Sequence, residues 1–215
     1  MQRFVVFDQD GTLVNSVPDL LGALNRAVVK RGMEAFTEDE VRPMIGDGAG
    51  VLLQRAFAVR GRVADAEVMG ELVADYTAHA AQLSRPYPGV VETLGLLREL
   101  GWGMAVCSNK PSSAATAELR GLKLDKFFAF VAGGDSFDVR KPDPGHVLKT
   151  LEACGAEPSR SVMVGDHRND ILAGRGADIA TVWARWGYGT EDVGATAQAG
   201  SFAELPDILN GLIAA

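Results

Sequence analysis

The stretch VVFDQDGTLVNS (5–16) sets two aspartates, Asp8 and Asp10, one residue apart where an apolar run ends. More groups capable of chemistry follow short apolar segments further along. Ser108, Asn109 and Lys110 follow MAVC, Lys141 lies in RKPDP beyond Asp135, and GDHRND holds Asp166 and Asp170. Carboxylates brought together repel one another unless a cation sits among them. Oxygen ligands suit a hard divalent ion, and Mg²⁺ commonly binds through one or two carboxylates plus substrate phosphate. A lysine and a serine hydroxyl add a positive charge and a donor, which suit an anion such as a phosphate. Together these residue types suggest a magnesium site that handles phosphoryl groups.

For such groups to meet, each must end a strand of one sheet. Apolar runs with strand character occupy 4–7, 104–107, 127–132, 161–164 and 179–183. They are continuous rather than alternating, as expected for parallel strands covered on both faces. Segments between them, such as 90–100 and 146–155, carry apolar residues at helical spacing. This alternation predicts a doubly wound α/β fold with a parallel sheet, whose ligands gather outside the carboxyl ends of the strands. One interval breaks the rhythm. From Asn15 to about Arg85 the pattern is helical throughout (18–32, 38–46, 50–61 and 65–83), far longer than a crossover of roughly a dozen residues. The expected organisation is a discontinuous core, 1–14 and 86–215, interrupted by a helical domain at 15–85, with SRPYPGV (84–90) as the return linker.

DQDGT (8–12), SN (108–109), KPDP (141–144) and GDHRND (165–170), in this order, resemble the four motifs of the haloacid dehalogenase-like phosphohydrolases. The resemblance spans the core and implies a Rossmann-like sheet, with 15–85 as a C1-type cap. It implies Asp8 as nucleophile, Asp10 as general acid/base, Ser108 and Lys141 as phosphate contacts, and Asp166 as a ligand of Mg²⁺. Asp8 and Asp10 join that metal set, and the fixed spacing of Asp170 adds a fourth carboxylate. Asn109, beside Ser108, is expected to orient the nucleophile or bind phosphate. The physical logic agrees. Residues i and i+2 of an extended strand end point the same way, about 7 Å apart. One carboxylate can then attack phosphorus, giving an aspartyl-phosphate, while the other protonates the departing oxygen. Gly11 permits the sharp turn, and Thr12, at the same phosphate-binding turn, is expected to hydrogen-bond Asp10. Asp10 argues against a dehalogenase, because a halide leaves without a proton.

Several residues depart from the family's pattern or carry weaker signals. Gln9 replaces the apolar residue common between the two aspartates, and Asn15 stands where many relatives carry aspartate. His167 replaces a serine and is expected to face solvent at a helix start. His79 and His146 are expected as surface or packing residues, and Trp102, Trp183 and Trp186 as packing groups. In the helical insert, PMIGDGAG (43–50) places a glycine-rich turn before an amphipathic helix. The free N–H groups of Gly46, Asp47 and Gly48, with Arg42 nearby, are candidates for holding an anion such as a carboxylate.

PMIGDG, DGTLVNS and WGYG (186–189) together resemble phosphoglycolate phosphatases, making 2-phosphoglycolate the leading substrate. A β-phosphoglucomutase-type mutase, a phosphatase for another small phosphorylated metabolite, and a phospho-accepting signalling module remain alternatives. The 215 residues carry a formal net charge of −7, with 21 lysines and arginines scattered along them. That sign disfavours nucleic acid. No apolar run approaches the roughly 20 residues of a membrane helix. Two cysteines, Cys107 and Cys154, suit reduced thiols. The expectation is a cytoplasmic enzyme, monomer or homodimer, acting on a small metabolite.

Overall fold

The computed structural model describes residues 2–213; residues 1, 214 and 215 of the expected core lie outside them. β1 (Phe4–Phe7) is buried at every position. Each such side chain contributes about 1.5–3 kcal/mol when fully buried, which places this strand at the centre. Two short strands, β2 (Val14–Asn15) and β3 (Arg85–Pro86), bracket the helical segment. β4 (Gly103–Cys107), β5 (Phe130–Ala132), β6 (Ser161–Gly165), β7 (Ala180–Ala184) and β8 (Ala197–Ala199) complete the strands. The main sheet runs β5-β4-β1-β6-β7-β8, with every pairing parallel. Phe7 lies level with Val106 on one side and Val164 on the other. The loops carrying Asp8, Ser108 and Asp166 therefore leave the sheet along one edge, around the point where the chain departs in both directions from β1.

The five expected strands are present, with one boundary corrected. Strand pairing in 127–132 begins only at Phe130, because Asp125–Phe127 form a 3₁₀ turn. Phe127 and Phe128 are apolar because they pack: Phe127 is buried, and Phe128 sets its ring edge-on to Phe7 at 6.4 Å. β8 has no apolar run and was not legible.

The helical segment holds α1 (Val17–Val29), α2 (Glu38–Val41), α3 (Ala49–Val59) and α4 (Ala66–Ala78). α1 buries Leu20, Ala23, Leu24, Ala27 and Val28, the spacing of one apolar helix face. Thr37 and Glu40 form a capping box at α2, and Asp65 caps α4 through the Val68 N–H. The helical pattern expected over 38–46 gives only one α turn, followed by a 3₁₀ turn, Arg42–Met44. Pro43 lacks the N–H that a continuing helix requires. These helices share an apolar core of their own, including Val17, Leu24, Val41, Leu53, Phe57 and Leu72. The chain enters and leaves through the antiparallel pair Val14↔Pro86 and Asn15↔Arg85. The remaining α-helices among the described residues are α5 (Val90–Glu99), α6 (Ser112–Gly121), α7 (Pro144–Ala153), α8 (Arg168–Gly176) and α9 (Leu205–Leu212).

Candidate active site

The loop after β1 turns at Gly11, whose φ of +83° favours glycine. A Cβ there would also lie 2.2 Å from Asp166 Oδ2. That close approach brings Asp8, Asp166 and Asp170 together, with one carboxylate oxygen of each within 4.8 Å of the others. All three residues are buried. Lys141 Nζ lies 2.9 Å from Asp8 Oδ1 and 2.6 Å from Asp170 Oδ1. Burial, with Asp170 close by, pushes the Asp8 carboxyl up to about 6 against the opposing pull of Lys141. Burial and the two neighbouring carboxylates hold Asp166 well above the usual range. Among the described residues Asp8 Oδ1, though paired in charge with Lys141, has no partner with hydrogen-bond geometry. A buried all-oxygen donor set with more negative than positive charge fits a hard divalent cation.

Asp166 is held by three donors: Thr12 Oγ1 at 2.8 Å, and the backbone N–H groups of Tyr188 at 2.7 Å and Gly189 at 3.4 Å. Thr12 therefore serves Asp166 rather than Asp10 or a phosphate, because its buried hydroxyl is already engaged. The WGYG turn is a cradle for this carboxylate, since a Cβ at Gly187 would lie 2.1 Å from the Asp166 Cβ. Trp186 packs on Phe202 and donates its indole N–H to the Thr12 carbonyl at 3.0 Å.

Asp10 stands apart from the three-carboxylate cluster. Its Oδ1 accepts from Ser16 Oγ at 2.5 Å and from Lys110 Nζ at 2.7 Å, so its side chain is engaged away from the expected metal set. Lys110, which the sequence placed at this strand end without a specific role, is buried. Its ammonium also contacts Glu118 Oε2 at 2.6 Å and the Tyr76 hydroxyl. Gln9, the unexplained departure between the aspartates, donates to the same Glu118 oxygen at 2.6 Å.

The helical segment closes over this edge. A cavity of about 40 Å³ lies between the two layers, lined by Asp8, Asp10, Ser108, Asn109 and Lys110 below, and above mainly by Leu20, Ile45, Leu52, Leu72, Val73 and Tyr76. Gly46 and Gly48 also line it. Their added Cβ atoms would come within 2.6 Å of the His167 ring and 2.9 Å of the Asn109 carbonyl, so the glycines permit the contact. Asn109 Nδ2 donates to the carbonyls of Gly46 at 3.0 Å and Lys141 at 2.8 Å. Asn169 Nδ2 donates to Asp47 at 2.8 Å and Gly46 at 3.3 Å.

Two expected anion contacts are corrected. Asp47 does not line the cavity; it binds Asn169 and, at 2.6 Å, Arg55. Arg42 pairs with Glu38 and sets its guanidinium 5.3 Å from the Tyr188 ring centre, beside a separate cavity. His167 caps α8 through Asn169 N, as a helix-start residue, but its ring faces Gly46 instead of open solvent. Asp170 completes that cap by accepting from His167 N at 2.8 Å.

A family model for haloacid dehalogenase-like hydrolases matches residues 5–184. The chain belongs to this family. It is 41% identical over 192 residues to a phosphoglycolate phosphatase of Agrobacterium fabrum, covering 87% of this chain and 82% of that protein. It is also 41% identical over 209 residues to a phosphoglycolate phosphatase of Caulobacter vibrioides, covering 94% and 88%. A crystal structure described as a predicted phosphoglycolate phosphatase from Haemophilus somnus superposes with a TM-score of 0.89 at 30% identity, over 96% of this chain and 97% of that one.

In this haloacid dehalogenase-like chain the Lys141 loop has internal support of its own. His146, expected as a surface or packing residue, is fully buried. Its Nδ1 accepts from Lys141 N at 3.3 Å, and its Nε2 lies 3.1 Å from the Gly133 carbonyl. That pairing requires the neutral ring protonated on Nε2. Burial, with Lys141 close by, lowers its pKa to about 4.

Proposed function

We propose that this protein is a phosphatase that hydrolyses 2-phosphoglycolate to glycolate and phosphate, with residues 15–85 acting as a closing cap. The observation that carries the reading is the small cavity, which joins Asp8, Asp10 and Ser108 on the core side to an aliphatic lid. Tyr76 is the one polar side chain that the helical segment contributes to that lining. A sugar leaving group needs several hydrogen-bond partners, and this lid provides few. A two-carbon leaving group fits, its carboxylate meeting the N–H groups around Gly46 and Gly48. The similarity to phosphoglycolate phosphatases over most of the chain supports the same substrate.

Asp8 attacks phosphorus, forming its Oδ–P bond as the ester P–O bond breaks, and Asp10 gives its proton to the departing oxygen. In the second step Asp10 takes a proton from water, whose oxygen displaces the Asp8 carboxylate from phosphorus. Both aspartates return to their starting states. Lys141 orients Asp8 and, with the Ser108 hydroxyl and Asn109, faces the transferring phosphoryl group. Asp8, Asp166 and Asp170 would hold Mg²⁺, which when bound offsets charge on the phosphoryl oxygens. Closure of the cap excludes water while the ester is intact. Two free cysteines and the lack of a long apolar helix among the described residues support a cytoplasmic setting.

A panel of small phosphate esters assayed with Mg²⁺, alongside Asp8→Asn, tests the reading. Phosphate release fastest from 2-phosphoglycolate, and its loss in Asp8→Asn, are expected. An Asp8→Asn enzyme that keeps most of its activity removes the nucleophile; isomerised sugar in place of free phosphate removes the phosphatase.

A further inference from the structure

Asp10, Lys110, Glu118 and Tyr76 come from four separate positions in the chain and meet at a site where only Asp10 keeps part of its side chain exposed. Glu118 lies on α6 and is fully buried, and Lys110 and Tyr76 are buried with it. A buried carboxylate is costly unless charge and hydrogen bonds compensate it. Glu118 is fully compensated, by Lys110 Nζ and Gln9 Nε2 on Oε2 and by the Tyr76 hydroxyl on Oε1 at 3.2 Å. An ammonium has three protons, and Lys110 directs them to Asp10, Glu118 and Tyr76. Burial disfavours its charge, but Asp10 and Glu118 outweigh that and raise its proton affinity.

Tyr76 is the member that belongs to the cap. It sits on α4, while Gln9, Lys110 and Glu118 belong to the α/β layer. With the cap in place, the Tyr76 hydroxyl accepts a hydrogen bond from Lys110 and donates one to Glu118. Without it, one ammonium proton and Glu118 Oε1 lose their partner. The four-carbon stem of Lys110 then has no single preferred orientation. Asp10 takes its position from the same contact, since both of its protein donors, Lys110 and Ser16, bind Oδ1. Among the described residues no hydrogen bond engages Oδ2, which leaves that oxygen for the proton exchanged with substrate.

We propose that Tyr76 and Glu118 are positioning residues that lock Lys110, and through it Asp10, so that proton transfer to the leaving group is competent only when the cap is closed. The inference rests on Asp10 being the proton donor of the proposed reaction. It also gives a role to Gln9, whose amide anchors Glu118 from the loop between the two aspartates.

The test compares leaving groups of similar size in the full-length protein with Mg²⁺. Glycolate leaves 2-phosphoglycolate only with a proton, whereas acetate leaves acetyl phosphate without one. kcat/KM covers the steps up to release of that group. Tyr76→Phe is expected to lower kcat/KM for 2-phosphoglycolate about 10-fold, a part of the full general-acid contribution, and to leave acetyl phosphate within about twofold. The loss should fall on kcat with KM little changed. Glu118→Gln is expected to show the same selectivity and carries the test if Tyr76→Phe folds poorly. Equal losses on both esters, or no loss on either, overturn the proposal. A wild-type enzyme that ignores 2-phosphoglycolate but hydrolyses another alkyl ester removes only the substrate assignment, and the comparison is then read on that ester.

Discussion

Replacing Asp166 by asparagine should make the metal-free protein more stable while abolishing its response to Mg²⁺. The three carboxylates approach within 4.8 Å, and at an effective dielectric of about 20 each like-charged pair at that distance costs about 3.5 kcal/mol. Lys141 contacts Asp8 and Asp170 directly, and among the described residues no such ion pair reaches Asp166. Proton uptake relieves part of the strain, because burial and its neighbours raise the Asp166 pKa well above 3.8. A raised carboxyl favours the folded state fully below its unfolded pKa, and that contribution is lost as pH climbs through the folded value. The advantage of asparagine is therefore small near pH 4 and grows towards pH 8. Its carbonyl can accept from the Tyr188 and Gly189 N–H groups, and the Thr12 hydroxyl can turn to accept from the amide. A net gain of about 2 kcal/mol at pH 8 corresponds to about 4–8 °C in a chain of this size. Thermal melts of wild type and Asp166→Asn, with chelator and with millimolar Mg²⁺, check it. Wild type should melt higher with Mg²⁺ and the variant should not respond. A variant less stable than wild type in chelator at pH 8, or a wild type indifferent to Mg²⁺, refutes the charge argument.

Three further outcomes follow from other contacts. His146, held neutral with a pKa near 4, contributes stability that is complete above about 6.5 and lost as pH falls towards 4, at most about 3 kcal/mol. Denaturant midpoints at pH 7.5 and pH 5 should differ more in wild type than in His146→Gln. Asn169→Ala removes the hydrogen bonds to Asp47 and Gly46. At about 1 kcal/mol it should weaken closure about fivefold, read as a rise in KM for the small ester with the melting temperature little changed. Gly11→Ala puts a Cβ 2.2 Å from Asp166 Oδ2 at a φ of +83°. Activity should be lost, and a normally active Gly11→Ala enzyme would contradict the described turn.

The sequence by itself determined the periodic and the local. Unbroken apolar runs such as 4–7 and 161–164 declare buried parallel strands, and the apolar spacing between them declares amphipathic helices, because burial pattern follows from side-chain spacing alone. The ordered motifs nominated Asp8, Asp10, Ser108, Lys141, Asp166 and Asp170 as candidates, since strand ends in such a sheet share one edge. Pairing between distant side chains was decided only by the tertiary structure. Lys110 could be placed at the strand end but given no partner until Glu118 and Tyr76 arrive from positions 8 and 34 residues away. Thr12 and Arg42 have several partners within reach of their sequence neighbourhoods, and packing selected Asp166 for one and Glu38 with Tyr188 for the other. Gln9 shows the same limit. Its amide is satisfied by a carboxylate 109 residues away, and no local rule of spacing or propensity reaches that far.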